Sequence, residues 1–454
     1  MASHMLTNVF LCQFDMSRGN TLVWSARDND PLLKGIEFKA LPSGIHEVSD
    51  DVIRFCIEYE QTQYYGICCY LQNAFEVLDN EGQVDRSKVK MYSLGVIVDP
   101  SQISDDLRGF NYEVTNQYIP ELQSLLKDWS TNQGSNSNSY EQLSTYYHKK
   151  ISGSLNYEVD YQTSMLNHLP YWLNKLGPLI FPLFKSCLLR ERILVISAPG
   201  NSFEYTNSLL YCLATISRNS KLNMGNTGSK GSYIPTLFTV GTYDIEDLEK
   251  HGQEGFLAVT SDEILLYKEE LFDKALILPS DSLIHEGLEL QDNKGHPVKA
   301  TIHESRIFNK LLETYCDQDI TKRDLERFSR NTETMSWLQY ILDSMLFLAT
   351  AGHITARYNE TREIIQKSLS REEGEPDEHY DARGIVQFFN SRSDELLDYI
   401  QRTIEDSNNI LPATITIDLD MDYFSKQDYE FLRMFAKKWL DKDIMFKTNI
   451  LGIY

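Results

Sequence analysis

A run of four aliphatic residues, Ile193–Ile196, lies between two long apolar segments, and this arrangement constrains the fold more than any other feature of the chain. The run has no alternating polar face, which is typical of a strand that is covered on both sides. Pro199 and Gly200 end it, and Asn201 or Ser202 can cap the following segment as a helix. The order helix, strand, helix therefore predicts a layered α/β core in the middle of the chain.

The N-terminal part is predicted to be an antiparallel sheet followed by helices. Two strand-like runs, 8–14 and 20–26, are separated by Asp-Met-Ser-Arg-Gly, which is typical of a hairpin turn with Gly19 at its unusual backbone angle. Residues 53–59 alternate between apolar and polar side chains, as in a half-buried strand with Arg54 on its polar face. Five strands and later helices predict an α+β domain, and residues 1–4 read as a vector-derived leader.

The remaining chain divides by pattern and composition into a linker and two further parts. We expect a first domain over 5–128, a linker over 129–149, a central α/β part over 150–299 and a helical part over 300–454. Strands alternate with helices in the central part, so its sheet is expected to be mostly parallel.

Composition narrows the classes of partner. The 454 residues carry a formal net charge of −23, which disfavours nucleic acid as a partner. The seven cysteines form no CxxC pair, as is typical of reduced thiols in a cytoplasmic protein. The apolar segments 169–189 and 337–351 are interrupted by charges or too short to cross a bilayer, so we expect no transmembrane segment. The expected location is cytoplasmic, with at most peripheral association with endomembranes.

Motifs for catalysis or metal binding fail on their spacing. The stretch MGNTGSKGS at 224–232 lacks the Gly-Lys-Ser/Thr order of a phosphate-binding loop. Asp418, Asp420 and Asp422 begin like a calcium loop, but Tyr423 and Tyr429 stand where Gly and Glu are needed. We therefore expect no cofactor, no metal and no conventional active site, and a function carried out through the outer surface of the protein.

Several segments, in this order, resemble DENN-module proteins, in particular the LCHN-like branch with its fungal relatives. They are GNTLVW, GIEFKALPSGIH, YYGICCYL, LLRERILVISAPG and MDYFSKQDYEFLRMF, and the resemblance spans most of residues 7–440. It implies a longin-like lobe with an antiparallel sheet and helices, then a DENN lobe with a central, mostly parallel sheet and a C-terminal helical part. The fold class is thus expected to combine α/β and α+β architecture.

The resemblance also implies a function, because many DENN-module proteins are guanine-nucleotide exchange factors for Rab GTPases. A Rab-family small GTPase is the expected partner, bound through its switch regions. Candidate contact residues lie in the first hairpin and after the strand that ends near Gly241, and they are Asp15, Arg18, Asn20, Tyr243, Asp244 and Glu246. Two alternatives stay open: a scaffold or complex subunit without exchange activity, and a GTPase activator that inserts Arg18 at the γ-phosphate.

Overall fold

The computed structural model describes the chain outside residues 1–4, 61, 74–88, 100, 102–104, 133–139, 153–160, 220, 222–232, 253, 281–286, 316–320, 335–340, 342–344, 346–376, 408 and 448–454. The predicted loop at 224–232 and most of the apolar segment 337–351 thus lie outside the described residues. The chain forms two compact units. The first unit comprises Met1–Met165, Leu194–Tyr211 and Pro235–Ile284, and the second comprises Leu166–Ile193, Cys212–Ile234 and His285–Tyr454.

The helices and strands follow one another in an order that mixes the two units. Up to residue 216 they are β1 (Leu6–Asp15), β2 (Gly19–Ser25), α1 (Ile36–Ala40), β3 (Asp50–Tyr59), β4 (Thr62–Gln72), β5 (Met91–Val98), α2 (Ile119–Asn132), α3 (Glu141–Ser152), α4 (Leu169–Leu176), α5 (Ile180–Leu188), β6 (Arg192–Ser197) and α6 (Phe203–Ile216). Beyond it they are β7 (Thr236–Thr239), α7 (Ile245–Lys250), β8 (Phe256–Thr260), β9 (Lys274–Leu278), β10 (Glu289–Asp292), α8 (Ile302–Tyr315), α9 (Lys322–Arg330), α10 (Asp377–Ser407), β11 (Ile410–Leu411), α11 (Ile415–Asp418), α12 (Lys426–Leu440) and β12 (Met445–Phe446).

The first unit is built on one sheet in which the strands lie in the order β9-β6-β8-β7-β3-β4-β5-β1-β2. The five N-terminal strands pair antiparallel, as predicted, whereas β7 and β8 pair parallel. The antiparallel part joins the rest of the sheet where Phe55 of β3 faces Phe238 of β7. The predicted combination of α/β and α+β architecture is confirmed. The predicted domain boundaries remain predictions.

Apolar layers cover both faces of the antiparallel part. One layer packs the strands against α2 and α3, with Trp129 and Leu143 fully buried. The other packs them against α1 and includes Phe10 and Phe55. Because both faces are covered, β3 is not the half-buried strand expected from its alternation. Arg54 is 3% exposed and donates from Nη2 to Oδ1 of Asn116 over 2.9 Å.

The predicted linker over 129–149 is largely helical where the structure describes it. Helix α2 continues to Asn132 and α3 begins at Glu141, so only Tyr140 and residues 133–139, which are not described, remain between them. Helix α3 carries Leu143 and Tyr147 into the core of the first unit. The polar composition of 130–139 therefore marks a short connection between two packed helices.

The strand Ile193–Ile196 is buried as predicted, and helix α6 begins where Pro199 and Gly200 suggested. The first N–H groups of α6 donate hydrogen bonds to a side chain that lies far away in the sequence. The carboxylate of Asp51, on β3, accepts hydrogen bonds from the N–H of Phe203 and of Glu204 and from the hydroxyl of Ser202, at 2.6, 3.1 and 2.9 Å. A strand 150 residues earlier thus caps this helix.

The second unit is mainly helical, and α12 closes the C-terminal end of α5. The indole Nε1 of Trp439 donates to the carbonyl of Leu188 over 2.9 Å. At the start of α12, Ser425 occupies the N-cap position but makes no capping hydrogen bond. Asp428, in the first turn of α12, pairs with Lys185 and accepts the N–H of Asp422 over 2.7 Å.

Ionisable side chains of the second unit form two networks, one buried around Lys185 and one half-buried around Asp420. Lys185 on α5 binds both Glu304 and Asp428. Asp420 accepts from His303 over 2.7 Å and from Nη1 of Arg392 over 2.6 Å. Burial opposes the charge of His303, but its hydrogen bond to Asp420 and the negative charge of Asp420 together outweigh burial and leave the pKa of His303 above its usual value. The helices of this unit are therefore joined by specific charge pairs as well as apolar packing.

Glu333 borders these networks, and its environment makes the stability of the second unit depend on pH. Burial, and then the charges of Asp422, Asp428 and Glu304, raise the pKa of Glu333 to about 7. The folded state therefore holds a proton at Glu333 that the unfolded chain releases near pH 4.5. The stabilisation from this proton is complete below that value and is lost as the pH rises through about 7.

We expect Glu333→Gln to stabilise the protein at pH 8 by about 1 to 2 kcal/mol and to change its stability little near pH 5. Glutamine keeps an oxygen for the 2.7 Å hydrogen bond from Gln427 and carries no charge. Urea unfolding followed by circular dichroism at both pH values measures the difference. The matched control, Glu326→Gln on the exposed face of α9, should have the same small effect at pH 5 and pH 8. A gain at pH 5 as large as at pH 8 would contradict the assignment.

Candidate partner-binding surface

The tip of the first hairpin is held by Asp15. Its Oδ1 accepts from the N–H and hydroxyl of Ser17 and from the N–H of Arg18, over 2.8, 2.6 and 3.0 Å. The hydrogen bonds from Ser17 and then from Arg18 lower the pKa of Asp15, so the carboxylate stays ionised. Gly19 takes a φ of 75° at the end of the turn, as predicted. The arrangement exposes the side chains of Met16 and Arg18 at the tip.

Asn20 fixes this hairpin to the segment that carries α1. Its Nδ2 donates to the carbonyl of Leu41 over 2.9 Å. Helix α1 turns Ile36 and Ala40 into the core and leaves Phe38 46% exposed. The predicted contact residue Asn20 is thus a link between two surface elements.

Beneath α1 lies an ion pair that joins it to the segment after β7. Lys39 and Asp244 bind each other, and both side chains are buried. Asp244 also accepts the N–H of Gly241 over 2.9 Å, and Asp262 accepts the N–H of Thr242 over 3.0 Å. The predicted contact residue Asp244 therefore holds the loop from below and offers no carboxylate to solvent.

Above the ion pair, Phe38 and Tyr243 form an exposed aromatic pair. Their ring centroids are 5.1 Å apart and their planes differ by 21°. The ring of Tyr243 also lies where a Cβ on Gly35 would stand, so the backbone at Gly35 must come this close without a side chain. Tyr243 is 44% exposed, and Glu246 is exposed on the first turn of α7. Two stacked rings presented to solvent are suited to an apolar contact with another protein.

The structure thus brings Tyr243, Asp244 and α1 together and connects the hairpin to them through Asn20. Phe38 and Lys39 complete the surface, and neither was predicted from the sequence as a contact residue. The available signal was an aromatic and a cation next to each other in a helix of only five residues. Asp15 and Arg18 lie at the exposed tip of the hairpin. Their side chains take no part in the stacking of Phe38 on Tyr243 or in the ion pair below it.

The three aspartates that resemble a calcium loop are used in protein contacts. Asp418 accepts the hydroxyl of Tyr399 over 2.7 Å, and Asp422 accepts the N–H of Phe424 over 2.9 Å. Asp420 belongs to the network with His303 and Arg392. Within the described part of the chain, no cluster of three acidic, histidine or cysteine side chains is arranged to hold a metal ion. In the same part, no helix combines the length and apolar character needed to cross a bilayer.

Comparison with known proteins gives one family. The family model of DENN domain-containing protein 11 matches residues 9–288. The uncharacterised protein ANR2 of Saccharomyces cerevisiae is 35% identical over 96% of this chain and 91% of its own. DENN domain-containing protein 11 of Xenopus laevis is 26% identical over 58% of each chain, and that of Mus musculus is 26% identical over 58% of this chain and 56% of its own.

Proposed function

The chain belongs to the family of DENN domain-containing protein 11, and we propose that it is a guanine-nucleotide exchange factor for a Rab-family small GTPase. The proposed contact surface is the aromatic pair of Phe38 and Tyr243 with the neighbouring hairpin tip. Asn20 links the hairpin that carries Asp15 and Arg18 to the segment of α1, and Glu246 is exposed on the first turn of α7. The family match supports a DENN domain in this chain. Exchange activity is the proposed part, and a nucleotide-release assay measures it.

The observation that supports this most directly is the construction of the aromatic pair. The rings are exposed, yet a buried ion pair and a close backbone approach hold them in place. An exposed aromatic side chain that is fixed before binding loses little conformational freedom when a partner covers it. Such residues commonly contribute a large share of the binding free energy at a protein interface.

Exchange activity needs binding contacts and no nucleophile in this chain. An exchange factor binds the nucleotide-free GTPase more tightly than the nucleotide-bound form, so nucleotide and exchange factor weaken each other's binding. A thousandfold faster release of GDP requires about 4 kcal/mol of such differential binding. A few well-packed aromatic contacts with a switch region are sufficient for this.

The test is release of a fluorescent GDP analogue from a panel of purified Rab GTPases at micromolar protein. For the GTPase that responds, we expect Tyr243→Ala to slow the stimulated release at least tenfold, since it removes a central aromatic contact worth about 2 kcal/mol. Tyr205→Ala is the matched control because Tyr205, on α6, is 46% exposed and does not stack on Phe38. The control should retain the stimulated rate.

The possible outcomes test the exchange activity and the position of the contact surface separately. Stimulation of no Rab GTPase would exclude the proposed exchange activity. Equal losses from Tyr243→Ala and Tyr205→Ala would contradict the proposed surface while leaving the activity in place. Measuring GTP hydrolysis in the same panel tests the alternative of a GTPase activator, for which Arg18→Ala should abolish stimulated hydrolysis.

A further inference from the structure

A cavity of about 330 Å³ lies within the second unit and is separate from the aromatic pair. Helices α5, α8, α10 and α12 and the segment 418–421 form its walls. Its apolar floor consists largely of aromatic rings, namely Phe181, Phe184, Phe388 and Phe431. The volume is in the range of small-molecule sites, which typically combine an apolar body with a few fixed polar groups.

The polar wall of this cavity is fixed by charge pairs. Lys185 is bound by Glu304, and Asp420 accepts from Nη1 of Arg392. The second guanidinium nitrogen of Arg392 donates to the backbone carbonyl of Asp420 over 2.8 Å. The cations of the inner wall therefore have carboxylate partners already, and an anionic ligand would have to compete with those carboxylates.

The charge of the lining favours a cation. Five carboxylates line the cavity together with three cationic side chains, which leaves a formal charge of −2. They are Glu304, Glu395, Asp398, Asp418 and Asp420, against Lys185, Arg392 and Arg402. Glu395 and Arg402 lie at the solvent-exposed mouth, where a ligand would enter.

The aromatic floor favours a cation as well. The faces of aromatic rings carry negative potential and attract ammonium and guanidinium groups. Two walls of the cavity already contain such contacts: Nζ of Lys185 lies 5.6 Å from the ring centroid of Phe431, and the guanidinium of Arg392 lies 5.4 Å from that of Phe388. The site thus combines ring faces with excess carboxylate in a space that holds one small molecule.

We propose that this cavity binds a small organic cation, an amine or guanidine that carries an apolar or aromatic body. The apolar body packs against Phe181 and Phe184, and the cationic group lies beside Phe388 and Glu395, which are both on α10. The site does not depend on the proposed exchange activity, since the cavity and the aromatic pair share no residue.

Binding of three probes of similar shape and different charge tests this on the full chain. They are phenethylammonium, the neutral 2-phenylethanol and the anionic 3-phenylpropionate, each titrated at pH 7.5 and followed by saturation-transfer NMR. We expect the cation to bind at least tenfold more tightly than the other two. Equal affinity for all three, or no binding of the cation up to 10 mM, would overturn the proposal.

Two variants locate the binding. Glu395→Gln removes one carboxylate from the mouth and should weaken phenethylammonium binding about three- to tenfold. Asp394→Asn is its matched control, because Asp394 precedes Glu395 on α10 and does not line the cavity. Ser391→Phe places a ring in the cavity and should abolish binding, with folding checked by circular dichroism. Equal weakening by Asp394→Asn and Glu395→Gln would show attraction by the general surface charge and overturn the assigned site.

Discussion

Replacing Lys185 by methionine is expected to destabilise the protein by about 3 to 5 kcal/mol. Lys185 binds Glu304 and Asp428, and both carboxylates are buried. Burial raises the pKa of Glu304, and the lysine charge opposes that rise. Methionine has a similar length and no charge, so it leaves two carboxylates close together without a cation. Urea unfolding followed by circular dichroism at pH 7.5 measures the loss.

Two tests check whether the unpaired carboxylates cause the loss of stability: neutral replacements of Glu304 and Asp428, and a change of pH. The triple variant Lys185→Met, Glu304→Gln, Asp428→Asn removes all three charges and should recover most of the lost stability. The loss in Lys185→Met should also shrink at pH 5, because Glu304, whose pKa burial raises, can then take up a proton. Lys426→Met, at an exposed position of α12, is the control and should change stability by less than about 0.5 kcal/mol. A loss that is the same at both pH values and persists in the triple variant would point to packing instead.

Local patterns in the sequence were sufficient for the strands and for the course of the chain. The hairpin at Asp15–Gly19, the five antiparallel strands and the buried run Ile193–Ile196 all form as predicted. These features depend on alternation, on turn residues and on apolar runs, which a short window of sequence contains. The exposed face expected for β3 around Arg54 was wrong, because alternation does not reveal that Arg54 is buried and bound to Asn116, which lies far along the chain.

The parts of the candidate sites that sequence did not predict are contacts between distant residues. Lys39 and Asp244 are 205 positions apart, and Lys185 and Asp428 are 243 apart. Either charge alone has the pattern of an ordinary surface side chain, so only the fold identifies it as buried and paired. The cavity in the second unit was not anticipated for the same reason. Its walls come from segments that begin near residue 181 and end near residue 431.

The cap of helix α6 is also a contact between residues that are distant in sequence, since Asp51 of β3 supplies it. Removing this carboxylate is expected to have the second large effect on stability. Asp51 is 7% exposed, and its carboxylate accepts hydrogen bonds from the N–H groups of Phe203 and Glu204. Burial raises the pKa of Asp51, while the hydrogen bonds from these N–H groups oppose the rise. Asp51→Ala would leave two buried donors without an acceptor and remove a negative charge from the N-terminus of the helix. We expect a loss of about 2 to 4 kcal/mol in the free energy of unfolding.

A graded series separates capping from simple loss of volume. Asp51→Asn keeps one acceptor oxygen, so it should cost less than Asp51→Ala, by about 1 kcal/mol or more. Asp50→Ala, on the exposed neighbouring position of β3, removes the same atoms without affecting α6 and should cost less than about 0.5 kcal/mol. Amide hydrogen exchange adds a local measurement, because Asp51→Ala should increase exchange in the first turn of α6 more than in β4. Equal costs for Asp51→Asn and Asp51→Ala, with α6 still protected, would show that the helix does not depend on this carboxylate.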